Sequence, residues 1–367
     1  MSLFLDSLQI ENYRAFRSLR IERLGRANLF VGKNNTGKSS VLEAVRLYAS
    51  QGSEDVLWTI LDSHDETHAA ERVQLEDRLY AVKQLFHGRE NQWSDESEIR
   101  IGPIYDPHES LSMRIAAVPA RPLDITNPDF RHAWNEGTLH DEPPRVAVVT
   151  TVGDTRRMIF LDGSSRRWKT SSPLRMPKTT FPQTYVSPQG LAAEAGARLW
   201  DLVTLTNLEE SVIGALRIIS PEIERISFIG EEGQSRIPMA KLKNEMRPIP
   251  LRSLGDGVAR MLGIALSLVS ARGGVLLLDE VENGIHFAAQ EQLWQLIFRL
   301  AHQLNTQVFA TSHSWDCIAA FQRAASDDSH EQALLVRLDR ERDGQIRSTL
   351  VSERELSILT REHIEVR

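Results

Sequence analysis

The chain has 367 residues, a net charge of −7 and a pI near 5.9, with 41% hydrophobic and 25% charged residues. That length suggests two or so domains with a sizeable core, and the charge excludes a globally basic nucleic-acid binder while leaving room for a local basic stripe. Apolar runs stop short of the roughly 18 residues a membrane span needs, the N-terminus lacks the regions of a signal peptide, and the single Cys317 rules out an intrachain disulfide, which suits a reducing cytoplasm.

Strands are predicted at Leu5 to Ile10, Leu19 to Ile21 and Ala27 to Val31. The third leads into Gly32-Lys33-Asn34-Asn35-Thr36-Gly37-Lys38-Ser39, which fits G-x-x-x-x-G-K-[ST], the P-loop. Its glycines permit backbone angles that a side chain forbids, so the loop can turn its N–H groups inward around an anion. Lys38 supplies a point charge for β- and γ-phosphates and Ser39 a hydroxyl for Mg²⁺. A helix predicted from Ser40 to Tyr48 aims its positive end at the same phosphates. Strand, glycine loop and helix are the setting this chemistry requires.

From 51 to 97 the pattern is polar and mostly helical, with Val73, Leu75, Leu79, Val82 and Leu85 as one buried face and acidic runs read as solvated. Residues 98–161 look strand-rich, with alternation at Ile99 to Ile101 and at Ser112 to Ile115. Val146 to Val149 and Met158 to Leu161 form a hairpin around Gly153-Asp154. Residues 163–193 contain no acid but hold Arg166, Arg167, Lys169, Arg175 and Lys178 beside Trp168. Such a stretch can follow a phosphate backbone and stack a base, or be a solvated loop.

Helix returns over 191–219, and strands follow at Ile223 to Ile229 and near Ile237. Ser253-Leu254-Gly255-Asp256-Gly257 opens an amphipathic helix from Val258 to Val269, either as a second anion-binding turn or as an ordinary cap through Ser253 or Asp256. Val275 to Leu278 is a continuous apolar run, as in a parallel strand buried on both faces, and it ends in Asp279-Glu280. Beside a P-loop, Asp279 can hold Mg²⁺ and Glu280 can polarise the attacking water. Gln307 to His313 is a short strand whose terminal histidine can contact the γ-phosphate. The chain then reads strand, Arg342-Asp343-Gly344 turn, strand, and a helix from Ser352. His64 and His68, four apart, lack a third metal ligand nearby; His132 and His140 read as surface residues; no G-x-S-x-G elbow exists.

P-loop, serine-glycine turn, apolar strand with Asp-Glu and strand-end histidine, in that order, resemble an ABC-class ATPase head of the RecF, SMC and OLD group. Ile10 to Phe16, Glu282 to His286 and Thr311 to Asp316 are further local matches. The resemblance covers residues 1–50 and 185–367, leaving 51–184 as an insertion, helical to 97 and then β-rich with the basic loop. It implies an α/β P-loop fold with a mostly parallel central sheet, an antiparallel β subdomain and a helical insertion. It implies ATP sandwiched between two heads associated head to tail. Arg14, Gly32, Asn34, Asn35, Thr36, Gly37, Lys38, Ser39 and Ser40 would bind nucleotide. Ser253, Gly255, Asp256 and Gly257 would act in trans, Glu280 as base, His313 as switch and Asn283 in the loop between sites. Gln189 would join Ser39 and Asp279 at Mg²⁺. Without SMC-like heptad arms, and with too few residues after Ser314 for a TOPRIM nuclease domain, the chain is expected to act with a separate effector, such as a nuclease or toxin, in DNA-related or anti-phage defence. Double-stranded DNA is a further expected partner, with Arg166, Arg167 and Lys169 as contacts. The alternatives are a slow or non-hydrolysing nucleotide-dependent scaffold and a RecF-like repair ATPase.

Overall fold

Gln307 shows how the first strand finds its place. Its buried amide accepts from the N–H of Leu5 at 2.9 Å and donates to the carbonyls of Leu5 and Gly25 at 2.7 Å each. Leu5 is thereby satisfied outside any strand. β1 runs over Leu8–Tyr13 rather than from Leu5, and β2 over Phe16–Ile21. The computed structural model describes residues 3–67, 75–89, 97–118, 144–162, 181–230, 235–326 and 333–351. The chain divides into two units, one of Met1–Leu8, Arg20–Leu42 and Phe181–Arg367, the other of Gln9–Leu19 and Glu43–Thr180.

The first unit is built on a six-stranded sheet. Its strands are β3 (Ala27–Val31), β8 (Gln183–Val186), β12 (Val275–Leu278), β13 (Gln307–Thr311), β14 (Ala333–Arg340) and β15 (Ile346–Val351), in the order β15-β14-β3-β13-β12-β8. All neighbours are parallel except β14 and β15. Every residue of β3, β12 and β13 is buried, as two-sided burial of parallel strands demands. Asn28 tolerates this because its amide pairs with Gly25 and with the carbonyl of Val308. The helices of this unit after β8 are α4 (Ala193–Val203), α5 (Glu209–Arg217), α6 (Asp256–Ser270), α7 (Phe287–Gln303) and α8 (Trp315–Ala325). The single helix expected over 191–219 is two, broken where Leu205 takes a positive φ of 62°. β9 (Ile223–Ile229), β10 (Ile237–Leu242) and β11 (Ile249–Pro250) form a small antiparallel sheet.

In the second unit β4 (Glu98–Gly102), β5 (Leu111–Val118), β6 (Arg145–Val152) and β7 (Thr155–Phe160) continue the sheet of the first two strands in the order β2-β1-β4-β5-β6-β7. The predicted hairpin is β6 and β7, turning at Gly153 with φ 53°. α1 (Lys38–Ala49) follows the P-loop, and α2 (Glu54–Asp62) and α3 (Leu75–Lys83) follow it. No helix among the described residues is long and apolar enough to cross a membrane. Arg166, Arg167, Lys169, His68, His132, His140 and the helix predicted from Ser352 lie outside the described residues.

Candidate functional site

Parallel order brings the ends of β3, β13, β12 and β8 together at one edge of the sheet, where open α/β sheets gather ligands. The P-loop leaves β3 at Gly32, whose φ is 149°. A Cβ there would stand 2.4 Å from the carbonyl oxygen of Leu338, so only glycine fits. Asn35 (φ 63°) and Gly37 (φ 82°) turn the loop over, and the guanidinium of Arg340 donates to the carbonyl of Asn35 at 2.8 Å. Thr36 donates to the carbonyl of Lys33, and Lys38 Nζ donates to the carbonyls of Gly32 and Lys33 at 2.8 and 2.9 Å. The ammonium therefore lies over the mouth of its own loop, with Asn34 and Ser39 exposed around it and Ser40 half-buried. Burial pushes Lys38 below its ordinary pKa, and Asp279, Glu280 and Glu282 oppose that shift.

Asp279, at the end of β12, is 5% exposed and surrounded by hydroxyls. Ser39 Oγ donates to its Oδ1 at 3.3 Å, Thr311 donates to the same oxygen, and Tyr185 donates to Oδ2 at 3.2 Å. Two hard oxygens this close, one hydroxyl and one carboxylate, fit an octahedral Mg²⁺ that keeps most of its other ligands as water and phosphate. No group of three or more His, Cys, Asp or Glu among the described residues would hold a metal alone.

The chain reverses at Glu280, which adopts a left-handed φ of 47°. A non-glycine residue pays roughly 1–2 kcal/mol for that. Its neighbours hold it there. Its N–H donates to Thr311 Oγ1 at 2.8 Å, and its carbonyl accepts from Arg260 at 3.0 Å. Arg260, on α6, also donates to the carbonyls of Asp279 at 2.8 Å and of Ser187 after β8. A charged side chain only 6% exposed thus ties α6 to the ends of two strands. Glu280 is directed to solvent with a side chain 39% exposed, and His313 Nδ1 lies 3.7 Å from its Oε1 and 3.6 Å from Glu282 Oε1.

Ser253 lies in a short 3₁₀ turn, Leu251–Leu254, and Gly255 (φ 105°) precedes α6. The cap reading fails here: Gly255 is the N-cap, no side chain caps the helix, and Asp256 is its first residue. Ser253, Gly255 and Asp256 are exposed. Gly257 is confined, because a Cβ there would stand 2.9 Å from the carbonyl of Gly284. The serine-glycine turn and the Asn283-Gly284 stretch are therefore neighbours. Asn283, itself exposed, donates to the carbonyl of Pro188 at 2.8 Å. Gln189 stands exposed in the turn after β8, and the residue of that segment that touches Asp279 is Tyr185.

Arg14 belongs to the second unit, where it pairs with Glu43 at 2.7 Å and takes Glu66 in a two-pronged grip at 3.0 and 3.1 Å. His64 joins Glu43 at 2.5 Å. Sequence reasoning passed over Arg260, Thr311, Tyr185 and the role of Glu282. A lone arginine within the apolar run from Val258 to Val269 was the available signal for the first; the hydroxyls of the other two gave none.

The chain matches the family model described as AAA domain, putative AbiEii toxin, Type IV TA system over residues 27–316. It is 22% identical over 358 residues to an ATP/GTP phosphatase of Helicobacter pylori, covering 90% of this chain and 91% of that protein. It is 30% identical over 79 residues to the DNA replication and repair protein RecF of Rickettsia massiliae, a stretch covering 21% of this chain and 22% of RecF. Among solved structures it aligns with an SMC head bound to the C-winged helix domain of ScpA at 13% identity and a TM-score of 0.49, covering 95% of this chain and 97% of that one.

Proposed function

The chain belongs to the AAA-domain family described as putative AbiEii toxin, Type IV TA system, and on that premise we propose that it is an ATPase whose copies associate head to tail around ATP and loosen when ATP is hydrolysed. The observation that carries this reading is the convergence of Lys38, Ser39, Asp279, Glu280 and His313 at one sheet edge. The name of the H. pylori relative, an ATP/GTP phosphatase, supports it.

Lys38 and the loop N–H groups bind the β- and γ-phosphates. Ser39 and Asp279 would hold Mg²⁺, which when bound would neutralise charge on the transferred phosphoryl. Glu280, exposed beside His313, orients a water and accepts its proton as the oxygen attacks the γ-phosphorus and the bond to the β-phosphate oxygen breaks. Ser253, Gly255 and Asp256 present a solvent-facing turn at the start of α6, suited to reach a partner's nucleotide. The association in turn regulates a separate effector, a nuclease or toxin, with double-stranded DNA as a further partner; the short match to RecF supports the DNA connection.

Single-turnover hydrolysis of ATP by the wild type and by Glu280→Gln tests the catalytic assignment. The variant is expected to bind nucleotide normally and to lose hydrolysis by about 10²-fold or more, as loss of a general base does. In gel filtration with ATP and Mg²⁺ it should elute as a dimer. Equal rates in the two proteins would instead favour a nucleotide-dependent scaffold.

A further inference from the structure

We infer that Glu282 is a positioning residue that presets the turn carrying His313 and shares its imidazole with Glu280.

Asp279 and Glu280 are absorbed by the site, but the carboxylate two residues further on is not. After the reversal at Glu280, Val281 N–H donates to the carbonyl of Thr311 at 3.1 Å, which lays the next residue over the end of β13. There Glu282 Oε1 accepts three hydrogen bonds, from Ser312 Oγ at 2.8 Å, His313 N–H at 3.1 Å and Ser314 N–H at 3.2 Å. The side chain is 8% exposed, and Oε2 is buried with no hydrogen-bond partner. A carboxylate taken this far from water costs several kcal/mol unless its surroundings compensate. Charge-assisted bonds from the backbone, roughly twice as strong as neutral ones, do so.

The bonds go to the segment after β13 that carries His313, so they fix its backbone directly. They also place a carboxylate 3.6 Å from Nδ1, while Glu280 lies 3.7 Å away on the same nitrogen. A small rotation of the ring makes a hydrogen bond to either acid. A carboxylate at Nδ1 selects the tautomer protonated there and leaves Nε2 for the substrate. Glu282 touches no reacting atom in this arrangement; it acts through His313. Its kinetic consequence rests on the ATPase reading, whereas the contact itself does not.

The test uses Glu282→Gln and Glu282→Ala, each alone and combined with His313→Ala, in the full chain. Glutamine keeps an acceptor oxygen and is expected to hold kcat within about threefold of wild type. Alanine is expected to lower kcat about 10- to 100-fold, with KM for ATP and the Kd for a fluorescent ATP analogue within about twofold. In the His313→Ala background the alanine change should cost no more than about twofold, because residues acting as a unit are not additive. Fully additive losses, or a rise in KM matching the fall in kcat, would overturn the inference. Imidazole ¹⁵N resonances of His313, recorded without nucleotide in wild type and Glu282→Ala, provide an arm independent of hydrolysis. A changed tautomer balance supports the contact, and identical resonances refute it. A wild type that hydrolyses no ATP would defeat the proposed function alone and leave this spectroscopic arm to decide.

Discussion

Arg260 compresses the logic of the site into one side chain. It spends a buried charge on three backbone carbonyls, those of Ser187, Asp279 and Glu280. Burial pushes its guanidinium below the usual arginine range, with Glu282, Asp279 and Glu280 opposing. Arginine suits the task because its planar fork donates in several fixed directions at once. Removing it takes a donor from all three carbonyls, of which Ser187 keeps the N–H of Gly190 and Glu280 that of Asn283, each at 2.9 Å, and it takes one cation from the carboxylates. Arg260→Met is therefore expected to lower stability by about 3 kcal/mol in chemical denaturation, and Arg260→Lys to recover only part of that. Stability equal to wild type in both variants would mean that the buried guanidinium adds nothing net to the fold. The sequence announced the P-loop and Asp279-Glu280 because those residues obey local patterns. It was silent on Arg260 and Thr311, whose partners lie 19 to 73 and 31 to 32 positions away and are fixed only by strand order.

At the scale of elements, hydrophobic patterning located β3, β12, β13 and α6 closely, since the three strands are buried along their length and α6 from Arg260 to Val269. It misjudged the start of β1, where a side chain from β13 takes the backbone bonds that a strand would have used. It also left His64 as a bystander. In the second unit, His64 follows α2 and reaches Glu43 on α1, and Arg14, at the turn between β1 and β2, reaches Glu43 and Glu66. Tyr13 completes the group, donating to Glu43 at 3.1 Å. The hydrogen bond to Glu43 is the largest influence raising the pKa of His64 above its ordinary 6.5; burial and Arg14 work against it, while the charges of Glu43 and Glu66 add to it. A histidine whose folded value is raised contributes stability that is complete below the unfolded value and is lost as pH rises through the folded one. The window therefore opens near 6.5 and extends upward. The melting temperature of the wild type should fall more between pH 6 and pH 8 than that of His64→Gln. Parallel curves for the two proteins would show that the imidazole does not link α1 to the end of α2 in this way.

At the scale of the whole molecule, the decisive question is which turn completes which pocket. Within one copy, Ser253, Gly255 and Asp256 face solvent, while Lys38 and Ser39 gather at the sheet edge with Asp279. If the proposed head-to-tail association holds, each pocket takes its P-loop from one copy and its serine-glycine turn from the other, as a two-fold arrangement requires. Lys38→Ala and Ser253→Arg should then each abolish hydrolysis alone. Mixed in equal amounts, they form heterodimers in which one pocket carries both defects and the other carries neither. Random pairing makes about half of the dimers mixed, so activity should return to about a quarter of wild type per chain if the two pockets work independently. At fixed total protein the recovered rate should scale with the product of the two variants' fractions and vanish when one variant also carries the other's change. A mixture as inactive as its components, with ATP-dependent dimers still present in gel filtration, would place the serine-glycine turn away from the partner's nucleotide and confine the chemistry to a single copy.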